Sequence, residues 1–561
     1  MGKKAAWLLL ALILTTGIYA RFKDLAWHFT NVDDRGVAEI IFRNRETGEF
    51  GAFPISRFYT YAPLQFFITP LLIDAAQPYR TMLFRGRLPS CVLGIAGILA
   101  LAFFFRKREG RWAGGALLAL ALLACSWENI IHAKQMHNYA LGVTAAILLT
   151  ILYDSLSARE RLGLRELLPA SLALAVLAHA QYQILALVPW FYLALFLPRL
   201  QVRPLKDLAV LAGKFILSGL LYGILIFPMV YFLLRRFLEE NAGAPGVAQG
   251  IHGEFLFRWP QAVPVLEGLR YAATFFLRNF LIVFQANTAF TPENSPAAGP
   301  AGIVLLMIFI AGVWGMARSE DRRTRRLGLF FALIAASWTF LIVSGKLTFG
   351  PTRHTLILLP FFLVMVREGW RVIWQRLPET FQKREAMVSA AVVLAVLGLF
   401  QVHYPQFLRE RRDPFVESEI LETFHRYKVD TIFTNERSDG IRMMPGIRQY
   451  QDEVQATTPE PYQTVAWISK SDLNIPFEQC DPYREQYNMQ LLMKAQASGK
   501  MEPFAKYACS EYRKVYEKKI DSDLQVDYSR RTRVNIYTNS LFFYIFSRLP
   551  APESPAPQAA P

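Results

Sequence analysis

Two adjacent carboxylates, Asp33 and Asp34, stand in the run Asn31-Val32-Asp33-Asp34-Arg35-Gly36-Val37-Ala38-Glu39-Ile40. A carboxylate near a bilayer surface can act as a general base that takes the proton from a hydroxyl. Two solvated loop carboxylates would look the same, so the pair alone leaves both readings open. Arg87 opens Arg87-Leu88-Pro89-Ser90, where a long apolar run begins. A guanidinium there can grip a phosphate through parallel donors, or it can simply snorkel to the interface. His132-Ala133-Lys134-Gln135-Met136-His137-Asn138-Tyr139 crowds polar groups between two apolar runs, and Arg353-His354 does so further along. Taken together these form one acidic element and several basic ones. That is the charge arrangement for a base-activated acceptor and an anionic leaving group.

Other chemistries find no support. No Walker-type Gly-Lys-Ser/Thr loop, dinucleotide fingerprint or Gly-x-Ser-x-Gly elbow occurs, so nucleotide-driven pumping and serine hydrolysis are not expected. No His-x-x-x-His pair with a carboxylate and no Cys cluster occurs either, so no metal or other cofactor is assigned.

The elements that must hold these residues are membrane helices. Hydrophobic residues make up 53% of the 561-residue chain and charged residues 19%, a composition of the membrane class. The net charge of +16 lies largely in short loops between apolar runs, where it sets orientation. No basic stripe with interleaved aromatics appears, so nucleic acid is not a partner. A span needs roughly 20 apolar residues. About eleven are expected, over 5–20, 88–105, 112–127, 139–154, 167–180, 183–198, 209–234, 301–317, 327–345, 354–367 and 387–403. The first follows Lys3 and Lys4, lacks an Ala-x-Ala site after it, and is read as a retained helix. Five basic loops, around 106–111, 159–165, 199–206, 318–326 and 371–384, fall on one side when the N-terminus is cytoplasmic. The expected fold is thus an α-helical polytopic membrane domain, 1–403, followed by an external mixed α/β domain, 404–550, and a Pro/Ala-rich disordered tail, 551–561. External loops cover 21–87 and 236–300, the second with an interfacial amphipathic helix at 271–285. In the C-terminal domain, 429–434, 464–468 and 533–537 read as strands and 476–516 mainly as helix. Cys91 and Cys125 read as small core residues. Cys480 and Cys509 are either a disulfide or two buried thiols.

The motif set resembles GT-C glycosyltransferases, in particular the bacterial aminoarabinose transferases and protein O-mannosyltransferases. Asp33 to Ile40 is similar to the family's Asp-Glu-x-x-x-Ala-Glu-Ile motif in the first external loop. Tyr61-Ala62-Pro63-Leu64-Gln65-Phe66-Phe67 resembles its Lys-Pro-Pro-Leu-aromatic stretch, and Arg87 to Ser90 its Arg-Leu-Pro-Ser entry to the next span. His132 to Tyr139 resembles its external basic-aromatic motif. The motifs cover about the first 200 residues. The resemblance implies transfer of a sugar from a polyprenyl-phosphate carrier to a hydroxyl on lipid, glycan or protein at the external face, in a bacterial inner membrane. It makes Asp33 the base, with Asp34 beside it. Arg87, Lys134, His137, Tyr139 and Arg353 go to the carrier phosphate or donor, and Glu39, His132 and His354 to the acceptor or to support.

Four departures stand out: Asp34 in place of Glu, Tyr61 in place of Lys, Thr60 where some relatives place a metal-binding Glu, and His137 in place of Arg. No Trp-Trp-Asp run occurs in the C-terminal domain, unlike oligosaccharyltransferases. The alternative is a transporter or flippase. Transporters place charges at mid-membrane, often in paired halves, whereas here the polar groups gather at one surface and no halves repeat.

Overall fold

A computed structural model describes residues 2–28, 34, 37–38, 41–42, 64, 68–74, 77–110, 112–200, 205–241, 257, 264–291, 295–344, 347, 349–350, 354–410, 416–434, 444–458, 462–469, 512–520, 525–526, 537–538 and 541–548. The chain divides into two compact units. One comprises 1–25, 41–73 and 83–406, and the other 26–40, 74–82 and 407–561.

The first unit is helical. Its described helices are α1 (Lys3–Phe22), α2 (Tyr79–Glu109, whose first residues belong to the second unit), α3 (Gly114–Cys125), α4 (Trp127–Ala133), α5 (Tyr139–Ser157), α6 (Leu164–Ala180) and α7 (Gln183–Leu200). Then follow α8 (Leu205–Asn241), α9 (Val265–Thr288), α10 (Ala298–Ala317), α11 (Arg322–Val343), α12 (Leu359–Arg376), α13 (Glu379–Gln382) and α14 (Glu385–Glu410). Large apolar side chains point outward along them, with Leu8 71%, Ile224 70% and Val402 72% exposed. Water would penalise such a surface, whereas lipid matches it.

Helices occupy all eleven expected span positions, but the count of eleven is not reached. Among the described residues eight helices are long and apolar enough to cross a membrane, or nine if the bent pair α3–α4 is one span. Two expected spans fall short. α6 has 17 residues, and α12 carries Arg367, Glu368 and Arg371 in its middle. The span expected over 112–127 also differs. Every residue of α3 is buried, and the chain then bends by 50° into α4. The first part of the polar stretch between the two apolar runs, Trp127–Ala133, is therefore helix. The amphipathic segment expected at 271–285 is the longer α9, which keeps Phe275, Val283 and Phe284 inward and exposes Leu266, Leu269 and Leu277.

Small residues let the central helices touch backbone to backbone, the usual way membrane helices pack. A methyl on Gly312 of α10 would overlap the Met365 carbonyl of α12, and one on Gly369 the Ile308 carbonyl of α10.

The second unit carries helices α15 (Glu417–Tyr427) and α16 (Pro445–Thr457) on a four-stranded sheet of order β1-β2-β6-β3. β1 is Thr431–Thr434, β2 Thr464–Ser469, β3 Tyr512–Ile520 and β6 Leu541–Arg548. β1 and β2 are parallel, with Thr431 opposite Val465, and β6 runs antiparallel to both β2 and β3. β4 (Gln525–Val526) and β5 (Tyr537–Thr538) form a separate ladder. Phe424 packs edge-on to Phe543, with ring centroids 5.5 Å apart. The strands expected at 429–434 and 464–468 are present. The expected helix over 476–516 is wrong at its end, because Tyr512–Tyr516 pairs with β6 as strand. Aromatic and β-branched residues such as Tyr512, Val515 and Tyr516 favour strand, and a bulge falls between Lys514 and Tyr516. Cys480, Cys509, residues 533–536 and the tail 551–561 lie outside the described residues.

Candidate active site

The site is built on the bend after α3. Ser126 caps α4 by accepting from the Asn129 backbone amide at 3.3 Å. α4 then delivers His132 and the connection 134–138 to the start of α5. One face of α2 receives that connection. A methyl on Gly86 would press on Met136, and one on Gly94 would come within 3.3 Å of Ala133. The Ser90 hydroxyl donates to the His137 carbonyl at 2.9 Å. Gly86, Ser90 and Gly94 recur every four residues, so they share one helix face. The Arg85–Ser90 motif thus has a packing role as well as a charge.

The cations converge on the C-terminal end of α1. Asp24 takes the left-handed conformation at φ 55° and stops the helix, leaving its last carbonyls for outside partners. Lys134 Nζ donates to the Lys23 carbonyl at 2.6 Å and to the Tyr404 hydroxyl of α14 at 3.1 Å. Tyr404 in turn donates to the Ala20 carbonyl at 2.5 Å. Arg87 is buried with Nη1 on the Leu25 carbonyl at 2.9 Å, which rules out the snorkelling alternative. Arg21, also buried, donates to the carbonyls of Gly17, Leu123 and Ala124 at 3.0–3.2 Å. It therefore covers carbonyls that the α3–α4 bend leaves open.

Among the described residues neither Lys134 nor Arg21 has a carboxylate within ion-pair distance. Lys134 lies in the connection between spans, and burial pushes its amine down to about 7. A cation held by carbonyls and a hydroxyl alone has polarised dipoles around it and no counter-charge, which suits an incoming anion.

Rings gather beside the cations. Tyr139 stacks on His137 with centroids 4.1 Å apart, and meets His132 and His354 edge-on at 5.1 and 6.4 Å. His132 Nδ1 is 2.8 Å from Gln135 Oε1, and Nε2 is 3.6 Å from Glu128. The structure thus brings Arg87 and Lys134 to one helix end, and His132, His137, Tyr139 and His354 to one ring cluster. Asp34 is fully buried and belongs to the second unit. Asp33, Glu39, Thr60, Tyr61 and Arg353 lie outside the described residues. No group of three or more metal-ligating side chains occurs among the described residues.

Sequence reasoning did not select Arg21, Tyr404, Asn138 or Gln181. Arg21 carried a usable signal, since it stands at the end of an apolar run with no basic neighbour before it. Tyr404 carried none.

No family model matches this sequence, and neither does any curated protein. Among solved structures the chain is similar to the archaeal oligosaccharyltransferase AglB from Archaeoglobus fulgidus in complex with an inhibitory peptide and a dolichol-phosphate. That match has 11% identity over 82% of this chain and 69% of that one, with a TM-score of 0.46. The chain is also similar to ArnT from Cupriavidus metallidurans bound to undecaprenyl phosphate, with 11% identity over 84% and 94% of the two chains and a TM-score of 0.45. ArnT in the apo state gives a TM-score of 0.44 at 12% identity, over 83% of this chain and 92% of that one.

Proposed function

We propose that the protein is an integral membrane glycosyltransferase that moves a sugar from a polyprenyl-phosphate carrier to a hydroxyl acceptor. The observation that carries this reading is Lys134, a buried amine on the end of α1 that, among the described residues, donates to a carbonyl and a hydroxyl and has no carboxylate within ion-pair distance. With Arg87 beside the same helix end, it offers positive charge where a leaving phosphate develops negative charge. The ordered motifs in the first 200 residues support the same class.

In the reaction, Asp33 takes the proton from the acceptor hydroxyl. The acceptor oxygen forms a bond to the anomeric carbon, and the bond from that carbon to the phosphate oxygen breaks. The electron pair leaves with the polyprenyl phosphate, held by Lys134 and Arg87. Asp34 stands beside the base in the catalytic pair, Tyr139, His137 and Arg353 support the donor, and Glu39, His132 and His354 serve the acceptor or support. On this reading the site faces the exterior of a bacterial inner membrane, and the basic loops face the cytoplasm.

Radiolabelled polyprenyl-phosphate sugars, supplied as a panel with total membrane extract as acceptor, test the proposal. The wild type is expected to transfer one label, and Asp33→Asn to lose about 100-fold or more while folding normally. Equal transfer by both proteins would overturn the assignment of the base.

A further inference from the structure

The connection that carries Lys134 also carries Asn138, four residues on. Asn138 is 4% exposed. Its Nδ2 donates to the Ala180 carbonyl at 3.3 Å and to Gln181 Oε1. Gln181 stands in the break between α6 and α7. Its Nε2 donates to Gln183 Oε1 at 2.9 Å, and Gln183 Nε2 donates to the His354 carbonyl at 2.8 Å. Each amide therefore spends its N–H groups inward, on a neighbouring amide or a carbonyl near a helix end. What remains is Asn138 Oδ1, buried and without a donor among the described residues. Leaving a buried acceptor unmet is unfavourable, so a hydroxyl or amine arriving there would be held by it.

Shape supports a ligand role. Gly142, one turn into α5, leaves room for the relay: a methyl there would sit 3.1 Å from Gln181 Cγ. The residues on either side of Asn138, His137 and Tyr139, stack ring on ring at 4.1 Å with planes 14° apart. A carboxamide acceptor on a segment that also carries flat rings supplies two of the groups that recognise the hydroxyls and the C–H face of a sugar. Four residues of chain reach at most about 14 Å, so the phosphate-binding amine and this acceptor lie within one short segment.

We infer that Asn138, held in place by Gln181, binds a ring hydroxyl of the donor sugar and sets which sugar is accepted. The inference rests on the proposed lipid-phosphate-sugar donor. A site built to hydrogen-bond a hydroxyl rejects an analogue that lacks it, because the buried protein group is then left unmet.

The test measures binding to the full chain in nanodiscs. The ligands are decaprenyl phosphate, decaprenyl phosphates carrying mannose, glucose, galactose or arabinose, and single-deoxy versions of the best of these. The wild type should bind one glycosylated lipid at least tenfold tighter than the bare lipid, and one deoxy version should lose that factor. In Asn138→Leu the deoxy penalty should vanish while affinity for bare decaprenyl phosphate stays within twofold. Gln181→Met should blunt the same penalty, and it decides the question if Asn138→Leu does not fold. Equal binding of all deoxy versions by the wild type, or an undiminished penalty in the variants, would overturn the inference alone. A parallel loss of bare and glycosylated lipid in a folded Asn138→Leu would do the same, since it would mark a purely structural role. Failure of the wild type to bind any of the lipids would overturn the donor class and this inference with it.

Discussion

Buried cations lie beside α2 near its C-terminus and again near its middle, and the two regions treat them differently. Near its C-terminus each has a carboxylate. Arg108 Nη1 is 2.6 Å from Asp154 of α5, whose other oxygen pairs with Arg323 of α11. Arg367 lies 2.6 Å from Glu109 and also pairs with Glu368, which accepts from Arg371 at 2.9 Å. Roughly 20–25 Å along the helix, at about 1.5 Å per residue, level with Cys91 and Gly94, Arg21 and Lys134 meet carbonyls and a hydroxyl and, among the described residues, no carboxylate within ion-pair distance. Fixed carboxylates make the first cluster a set of clasps between helices. Among the described residues no carboxylate pairs with Arg21 or Lys134, and on the proposed reading their charge meets an anion that comes and goes. On that reading the partners of a buried cation, more than its burial, separate a structural region from a functional one.

Removing one charge from each region tests this contrast. The largest effect belongs to Lys134→Met, which should lower sugar transfer on the order of a hundredfold and leave the melting temperature unchanged or raised, because a desolvated charge is removed. Activity and melting curves on the same preparation check both halves. Asp154→Asn should do the reverse. It strands Arg108 and Arg323 together, costs about 3–5 kcal/mol, and lowers the melting temperature while transfer per folded molecule stays within twofold.

Gly312→Val should force α10 and α12 apart and cost about 1–3 kcal/mol, read by melting temperature alone. The smallest effect is a pH dependence. With Lys134 at about 7 in the folded protein and about 10.4 in the unfolded chain, the unfolded chain binds the extra proton between these values. Stability should therefore climb as pH rises from 7 toward 10, and Lys134→Met should flatten the climb. Over the same range donor binding should weaken, because the amine that meets the phosphate is losing its charge.

The parts of this picture that sequence made legible share a physical reason. Long apolar runs located helices at all eleven expected positions, since a membrane demands internally satisfied backbone over a fixed length. The expected spans that fall short in length or apolar composition are those where helices pack on protein. α12 buries its charges against Glu109 and neighbouring helices, and α3 is short because it is wrapped by protein. Arg87 and Lys134 were legible because a motif marked them. The clasp of Arg108, Asp154 and Arg323 was counted only as loop charge, because pairing depends on which turns of three separate helices coincide. Asn138 and Gln181 were hidden for a similar reason: each gains its role from a helix break, and an amide in a break looks like any connecting residue. The proposed base, Asp33, and the acidic Glu39 rest on the motif, and Asp34 alone of the three is described, fully buried.

Binding of decaprenyl phosphate to wild type and to Lys134→Gln, measured in nanodiscs at pH 6.5, tests the central claim most directly. The account predicts binding by the wild type and at least tenfold weaker binding by a folded Lys134→Gln. Equal affinity in the two proteins would contradict it.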